Sequence, residues 1–231
     1  MGVMNAVTPT PRRGRPPKAQ AQLTRSAIRE AALTVIDRDG IAAVSMRSVS
    51  RLLGVDAKSL YHHVADKDDL LDAVAEHLLG QLEAPEPTGD LRTDLKALAY
   101  EFRRVTTAHP EAASLVLTRQ LSTLAGLAPS DAVLSVLRHA GAEPEQAVRL
   151  LRTLVATLIG MLLREVSAGP TFGSSDADDL AQRRHDLESS GLPEIVACAS
   201  YLAHFDRDEE FASGLELAVD FVESRLTQLR A

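Results

Sequence analysis

Along almost the whole chain, apolar residues recur three and four positions apart, and no convincing run of β-branched residues alternates with polar ones. That period lays a stripe along one face of a helix and cannot line one face of a sheet. The sequence therefore predicts an all-α fold. At 231 residues, 45% of them hydrophobic, the chain has material for one large or two small domains with packed cores. It contains no unbroken apolar run of the roughly 18 residues a membrane span requires. The opening stretch MGVMNAVTPTPRRGRPPK has no apolar segment of a secretory signal, so a cytoplasmic chain is expected. Cys198 is the single cysteine, which excludes an internal disulfide and a multi-cysteine metal site, and it reads as a small buried thiol.

Three regions follow from the punctuation. Residues 1–20, with Pro9, Pro11, Pro16 and Pro17 among arginines, read as a flexible basic arm. Residues 21–66 read as a compact head. Thr24 caps a helix that buries Ile28, Ala32, Val35 and Ile36 and stops at Gly40. Ser45 caps a short second helix, Met46 to Leu53, that Gly54 ends, and Asp56 caps a third through about His63. Two short helices joined by a glycine-containing turn form a helix-turn-helix, with Val49, Leu52, Leu53, Val55 and Leu60 as its core. Residues 67–231 read as a larger body, entered through a linking helix at 67–82. The proline- and glycine-marked stretch 83–90 reads as a hinge or loop. Further helices are expected at about 91–108, 111–121, 130–140, 145–167, 193–205 and 208–229, with a loop at 167–191 that has room for a short helix.

Charge divides along the same boundary. The net charge is −7, but residues 1–66 hold ten Lys/Arg against five Asp/Glu, so arm and head together carry +5 and the remainder −12. A basic head on an acidic body brings the head to phosphates and turns the body away.

The segment MRSVSRLLGVDAKSLYHHVADKDDLLDAVAEHLL resembles the tetracycline-repressor (TetR) family, a match covering roughly residues 24–82. Its carriers are the Gly54-Val55 turn, the run Leu60-Tyr61-x-His63-Val64, and Lys67 followed by Leu70-Leu71-Asp72-Ala73. The resemblance implies a transcriptional regulator that lays its third helix in the major groove, which accepts one α-helix. It assigns Arg47, Lys58, Ser59, Tyr61, His62, His63 and Lys67 to the DNA face, with Tyr61 and Lys67 mainly on phosphates. A metal site at His62-His63 is disfavoured, since consecutive helical residues point about 100° apart. In the arm, Arg12-Arg13-Gly14-Arg15 followed by Pro16, Pro17 and Lys18 is similar to an AT-hook, whose arginines lie in a narrow minor groove. A solubilising tail is the other reading of the same residues.

In the body, residues 145–167 are apolar nearly all round, and residues 208–229 carry a stripe at spacings of three and four. In the family, the corresponding helices form a four-helix bundle between two subunits. On that basis Val148, Leu151, Val155, Leu162, Phe211, Leu215, Ala218, Val222 and Leu226 are expected at a homodimer interface. The run Phe211-x-x-Gly214-Leu215-Glu216-Leu217 with Glu223 resembles the carboxy-terminal domain of the tetracycline-binding members, although Phe221 stands where a glycine is usual. Those members hold magnesium-bound tetracycline through polar groups that this sequence lacks. Glu83 and Leu98 replace a histidine and an asparagine, Leu115 or Val116 takes the metal-binding histidine's place, and only Phe102 is kept. No metal or other cofactor is therefore expected. A pocket formed by Leu98, Phe102, Leu115, Leu117, Leu154 and Leu158 would favour an apolar or amphipathic small-molecule effector. His109, just before Pro110, marks a helix boundary and is a further pocket candidate.

No phosphate loop, G-x-S-x-G elbow or H-E-x-x-H motif is present in the sequence, so no catalytic residue is assigned and an enzyme is not expected. A ligand-independent DNA-binding protein is the competing class. Deleting residues 1–20 should weaken DNA binding and flatten its salt dependence, measured by titration at several salt concentrations. An unchanged slope would identify the arm as a solubilising tail.

Overall fold

A computed structural model describes residues 23–119, 123–168, 174 and 177–228. Its regular elements are helical among these residues. The head comprises α1 (Arg25–Asp39), a 3-10 turn (Ile41–Ala43), α2 (Met46–Leu53) and α3 (Ala57–Leu60). Helix α4 (Lys67–Leu79) leads to a body built of α5 (Leu91–Ala108), α6 (Pro110–Thr118), α7 (Leu124–His139), α8 (Pro144–Leu163), α9 (Ala177–Glu188), α10 (Pro193–Ala203) and α11 (Arg207–Gln228).

The head is fixed by its caps. Thr24, Ser45, Asp56 and Asp66 each accept a backbone N–H in the first turn of the helix that follows, removing donors that would otherwise be orphaned. Ser48 returns the bond of Ser45 by accepting from the Ser45 N–H at 2.9 Å, which completes a capping box. At the other end of α2, Gly54 adopts φ 68° and ψ 29°, a left-handed conformation that a Cβ would penalise. Its N–H reaches the Arg51 carbonyl, and Val55 N–H reaches Ser50 at 3.1 Å, the paired bonds of a Schellman ending. Val49, Leu60 and Val64 are sealed beneath the turn. Leu52, expected in that core, is instead 45% exposed, because it falls on the outward side of α2.

One apolar cluster runs from head to body. Ile28, Val35 and Ile36 of α1 meet Leu70, Val74 and Leu78 of α4, and the same cluster takes in Ala112, Leu115 and Val116 of α6. A second cluster joins α5 and α8 to the inner stripe of α11, from Phe211 to Leu226. Polar ties hold that stripe in place. Arg92 reaches Glu216 at 2.6 Å and Glu223 at 2.7 Å, while Arg103 grips Glu165 and lies 4.6 Å from the centre of the Phe211 ring. In the stretch expected to be a hinge, Asp94 accepts from the Thr88 N–H at 2.8 Å and hydroxyl at 2.7 Å, and from the Gly89 N–H at 3.1 Å. The Thr88 bonds hold its carboxyl below the ordinary range, so their stabilisation fades as pH falls through that lowered value.

Several boundaries differ from the sequence reading. Helix α4 ends at Leu79 rather than 82, with Gly80 as its cap. Helix α7 begins at Leu124 and runs through Pro129, a residue that leaves one carbonyl of the preceding turn without its usual donor. The stretch 167–191, by contrast, contains the short helix for which the sequence left room, the 12-residue α9, which packs on α10. Cys198 on α10 is exposed, not buried. The segment Pro144–Val166 does have the length and mean hydropathy, 1.5, of a membrane span, which Arg149 and Arg152 hide from a search for unbroken runs. Its packing against α7 and α11 makes it a body helix here.

Leu60→Ala should destabilise the chain by about 2–5 kcal/mol, because the side chain is wholly enclosed and the site is ringed by other helices. Denaturant unfolding measures this directly, and a loss below about 1 kcal/mol would mean the turn is not held by that contact.

Candidate nucleic-acid interface and effector cavity

The caps and the buried Leu60 leave a defined set of side chains facing out. Lys58, Tyr61 and His62 are exposed on or just after α3, and Ser59 and His63 are half-buried. Arg47 on α2 and Lys67 at the start of α4 are exposed on either side. Tyr61 is 55% exposed, more than a ring of that size would be if packing were its role. Among the described residues, no carboxylate pairs with Arg47, Arg51, Lys58 or Lys67, whereas Arg25 is paired with Asp69 at 2.7 Å and Arg38 with Asp39 at 2.6 Å. The unpaired cations thus surround the outward face of the turn. Arg12, Arg13, Arg15 and Lys18 lie outside the described residues.

The segment carrying this face is bolted to the rest. Asp66 accepts from the Asp69 N–H at 2.9 Å, and Asp69 in turn accepts from Ala65 N–H and Arg25, both at 2.7 Å. Movement of α4 therefore carries the recognition segment with it.

A cavity of about 600 Å³ lies in the body, walled by α5, α6, α7, α8 and α11 and reached by the end of α4. That is the size of a small-molecule site, commonly about 300–1,000 Å³. Five of the sequence-derived residues line it: Leu98, Phe102, Leu117, Leu154 and Leu158. Two do not. Leu115 points into the core shared with the head, and His109 caps the start of α6 with its Nδ1 2.9 Å from Asp37 Oδ2 of α1. His109 is thus a tie between body and head. Of Leu115 and Val116, the two positions to which the resemblance assigns a metal-binding histidine, only Val116 lines the cavity, and neither side chain has a donor atom for magnesium. Sequence reasoning missed the wall contributed by residues 126–133 of α7: it began that helix at about 130 and assigned none of these residues to the pocket. It also missed Glu101 and Arg119, the charged members of the lining. Glu101 is held by Arg104 at 2.7 Å, which keeps its carboxyl below the ordinary range, and it accepts the Glu83 N–H.

The expected dimer residues divide. Leu162, Phe211, Leu215, Val222 and Leu226 are buried inside the subunit, where they support α8 and α11 from beneath, so they are unavailable to a second copy. Val148, Leu151 and Ala218 are half-buried, and Val155 is 36% exposed. The large apolar residues left outside on α11 are Leu217, at 69%, and Phe221, at 44%.

A capped helix-turn-helix with free cations on its outer face, joined through one core to a helical body containing an apolar cavity, defines a DNA-binding regulator. Residues 28–74 match the family described as "Bacterial regulatory proteins, tetR family", and residues 84–226 match "Tetracyclin repressor-like, C-terminal domain". The chain belongs to the TetR family of transcriptional regulators, which are not enzymes. It is 38% identical over 198 residues to an HTH-type transcriptional regulator of Saccharopolyspora erythraea, covering 82% of each chain. It is 28% identical to the tetracycline repressor protein class A from transposon 1721 of Escherichia coli, covering 90% of this chain and 94% of that one. Among solved structures, the Streptomyces coelicolor TetR family protein ActR in complex with actinorhodin superposes with a TM-score of 0.78 at 28% identity, covering 88% of this chain and 97% of that one.

Lys67→Ala should weaken binding to specific and unrelated DNA alike and reduce the salt slope by about one, the signature of a lost phosphate contact. Selective loss on one sequence would place Lys67 at a base edge instead.

Proposed function

We propose that the protein is a ligand-responsive transcriptional repressor that binds a palindromic operator as a homodimer and leaves it when an apolar or amphipathic small molecule fills the body cavity. The observation that carries this reading is the unbroken core from α1 through α4 to α6, because Val116 belongs to that core and also lines the cavity. A ligand that displaces α6 acts on α4 through packed side chains, and α4 moves the head. Close-packed contacts transmit such a shift because interiors compress little.

Two reading heads follow from the body's outer face. On α8, Thr153, Val155, Ala156, Thr157 and Gly160 are exposed, and Leu217 and Phe221 of α11 are exposed as well. Small residues on α8 allow the close approach of another helix, and the large apolar groups of α11 gain by leaving water. A two-fold pair places its recognition helices about 34 Å apart, one turn of DNA, so that both enter the major groove on one side. A bound effector favours a dimer with a different separation. A preference of about 1.4 kcal/mol for that state lowers operator occupancy tenfold. The reading also places the protein in the cytoplasm, with the DNA it controls.

Nuclease footprinting on the DNA upstream of its own gene should reveal a short palindrome protected on one face. The double variant Leu217→Glu/Phe221→Glu should elute as a folded monomer and lose at least tenfold in affinity for that site. Diffuse protection would favour a ligand-independent architectural protein, and a variant that stays dimeric would move the interface elsewhere.

A further inference from the structure

Among the described residues lining the cavity, Arg119 is the one cation. It follows the last turn of α6, and its own N–H reaches the Leu115 carbonyl at 3.2 Å. Its guanidinium serves α4. Nη2 donates to Asp68 Oδ1 at 3.0 Å, and Nη1 donates to the Asp72 carboxylate and, more distantly, to the Asp68 carbonyl at 3.4 Å. The pairing is lopsided in solvation. Arg119 is 24% exposed, but Asp68 is 83% and Asp72 44% exposed. Glu101, the remaining charge of the wall, is already satisfied by Arg104 and the Glu83 N–H.

We propose that the effector carries an anionic group, such as a carboxylate, on an apolar body, and that this group draws Arg119 away from Asp68 and Asp72. The inference rests on the reading of the cavity as an effector site. Solvent-facing ion pairs gain little, because water screens them and two long side chains must be held in place. An anion entering an apolar cavity loses its hydration and must find a cation there. Arg119 is the cation in reach, so the exchange runs toward the ligand.

The consequence falls on the DNA face. Asp66 is committed to capping α4, and Asp69 to Arg25 and the Ala65 N–H. Arg119 is what neutralises Asp68 and Asp72 in the first two turns of α4. Its departure leaves Asp68 and Asp72 unpaired, the first of them adjacent in sequence to Lys67. Added negative charge there opposes the approach of phosphates, so ligand binding weakens DNA binding through charge as well as through displacement.

The matched probes are anthracene-2-carboxylate and anthracene-2-carboxamide, nearly equal in shape and different in charge, titrated calorimetrically into the full chain. The wild-type chain should bind the carboxylate at least tenfold more tightly than the amide. Arg119→Gln should bind both with the affinity of the amide, which also shows that its cavity is intact. Asp68→Asn/Asp72→Asn, which frees Arg119, should bind the carboxylate more tightly than wild type does. Equal affinities in the wild type, or a charge preference that survives in Arg119→Gln, overturn the proposal while leaving the cavity reading in place. Binding of neither probe by the wild type sinks the cavity reading itself. Should Arg119→Gln fail to fold, an unchanged carboxylate affinity in the Asp68→Asn/Asp72→Asn chain is sufficient to reject the proposal.

Discussion

The contact on which the rest depends is the packing of α4 between α1 and α6. Leu70, Val74 and Leu78 are wholly enclosed there, on a helix whose first residues also hold the recognition segment through Asp66 and Asp69. A head joined to its body by a flexible linker could bind DNA but could not be told what the body holds. Sharing side chains removes that independence. His109, bonded to Asp37, adds a polar tie across the same boundary.

Charge is distributed to serve the same arrangement. Most arginines of the body are spent on internal pairs, as with Arg92, Arg103 and Arg104. Among the described residues, Arg47 and Arg51 on the outer face of the head have no carboxylate partner, so that face keeps positive charge around one turn. The −12 of residues 67–231 against the +5 of residues 1–66 then favours approach to a phosphate backbone by the amino-terminal part of the chain.

The head was legible in the sequence because its signals are local. Thr24, Ser45, Gly54 and Asp56 act on groups within a few residues of themselves, and each does what its type and spacing indicate. The body was legible as helices and as a cavity lined by Leu98, Phe102, Leu117, Leu154 and Leu158. Its two kinds of burial were not. A stripe such as Phe211 to Leu226 identifies the face a helix hides, not whether its own subunit or another does the hiding, and here the subunit's core takes it. Helix α8 is apolar on nearly every side, so its pattern carries no direction at all. His109 and Arg119 show a further limit, since their partners Asp37, Asp68 and Asp72 are distant in sequence and only the fold brings them together. Cys198 lies exposed on a helix hairpin whose contacts are mainly with itself, a placement that residue type cannot foretell.

If one core carries the message from cavity to head, the coupling must run both ways, because linkage is a property of free energy and not of direction. The most direct test takes a cavity ligand selected by thermal shift and measures its affinity for the protein free and saturated with operator DNA. The ligand should bind the DNA-bound protein more weakly, by the same factor by which the ligand weakens operator binding. Equal ligand affinity with and without DNA would contradict the account, whatever the ligand's tightness.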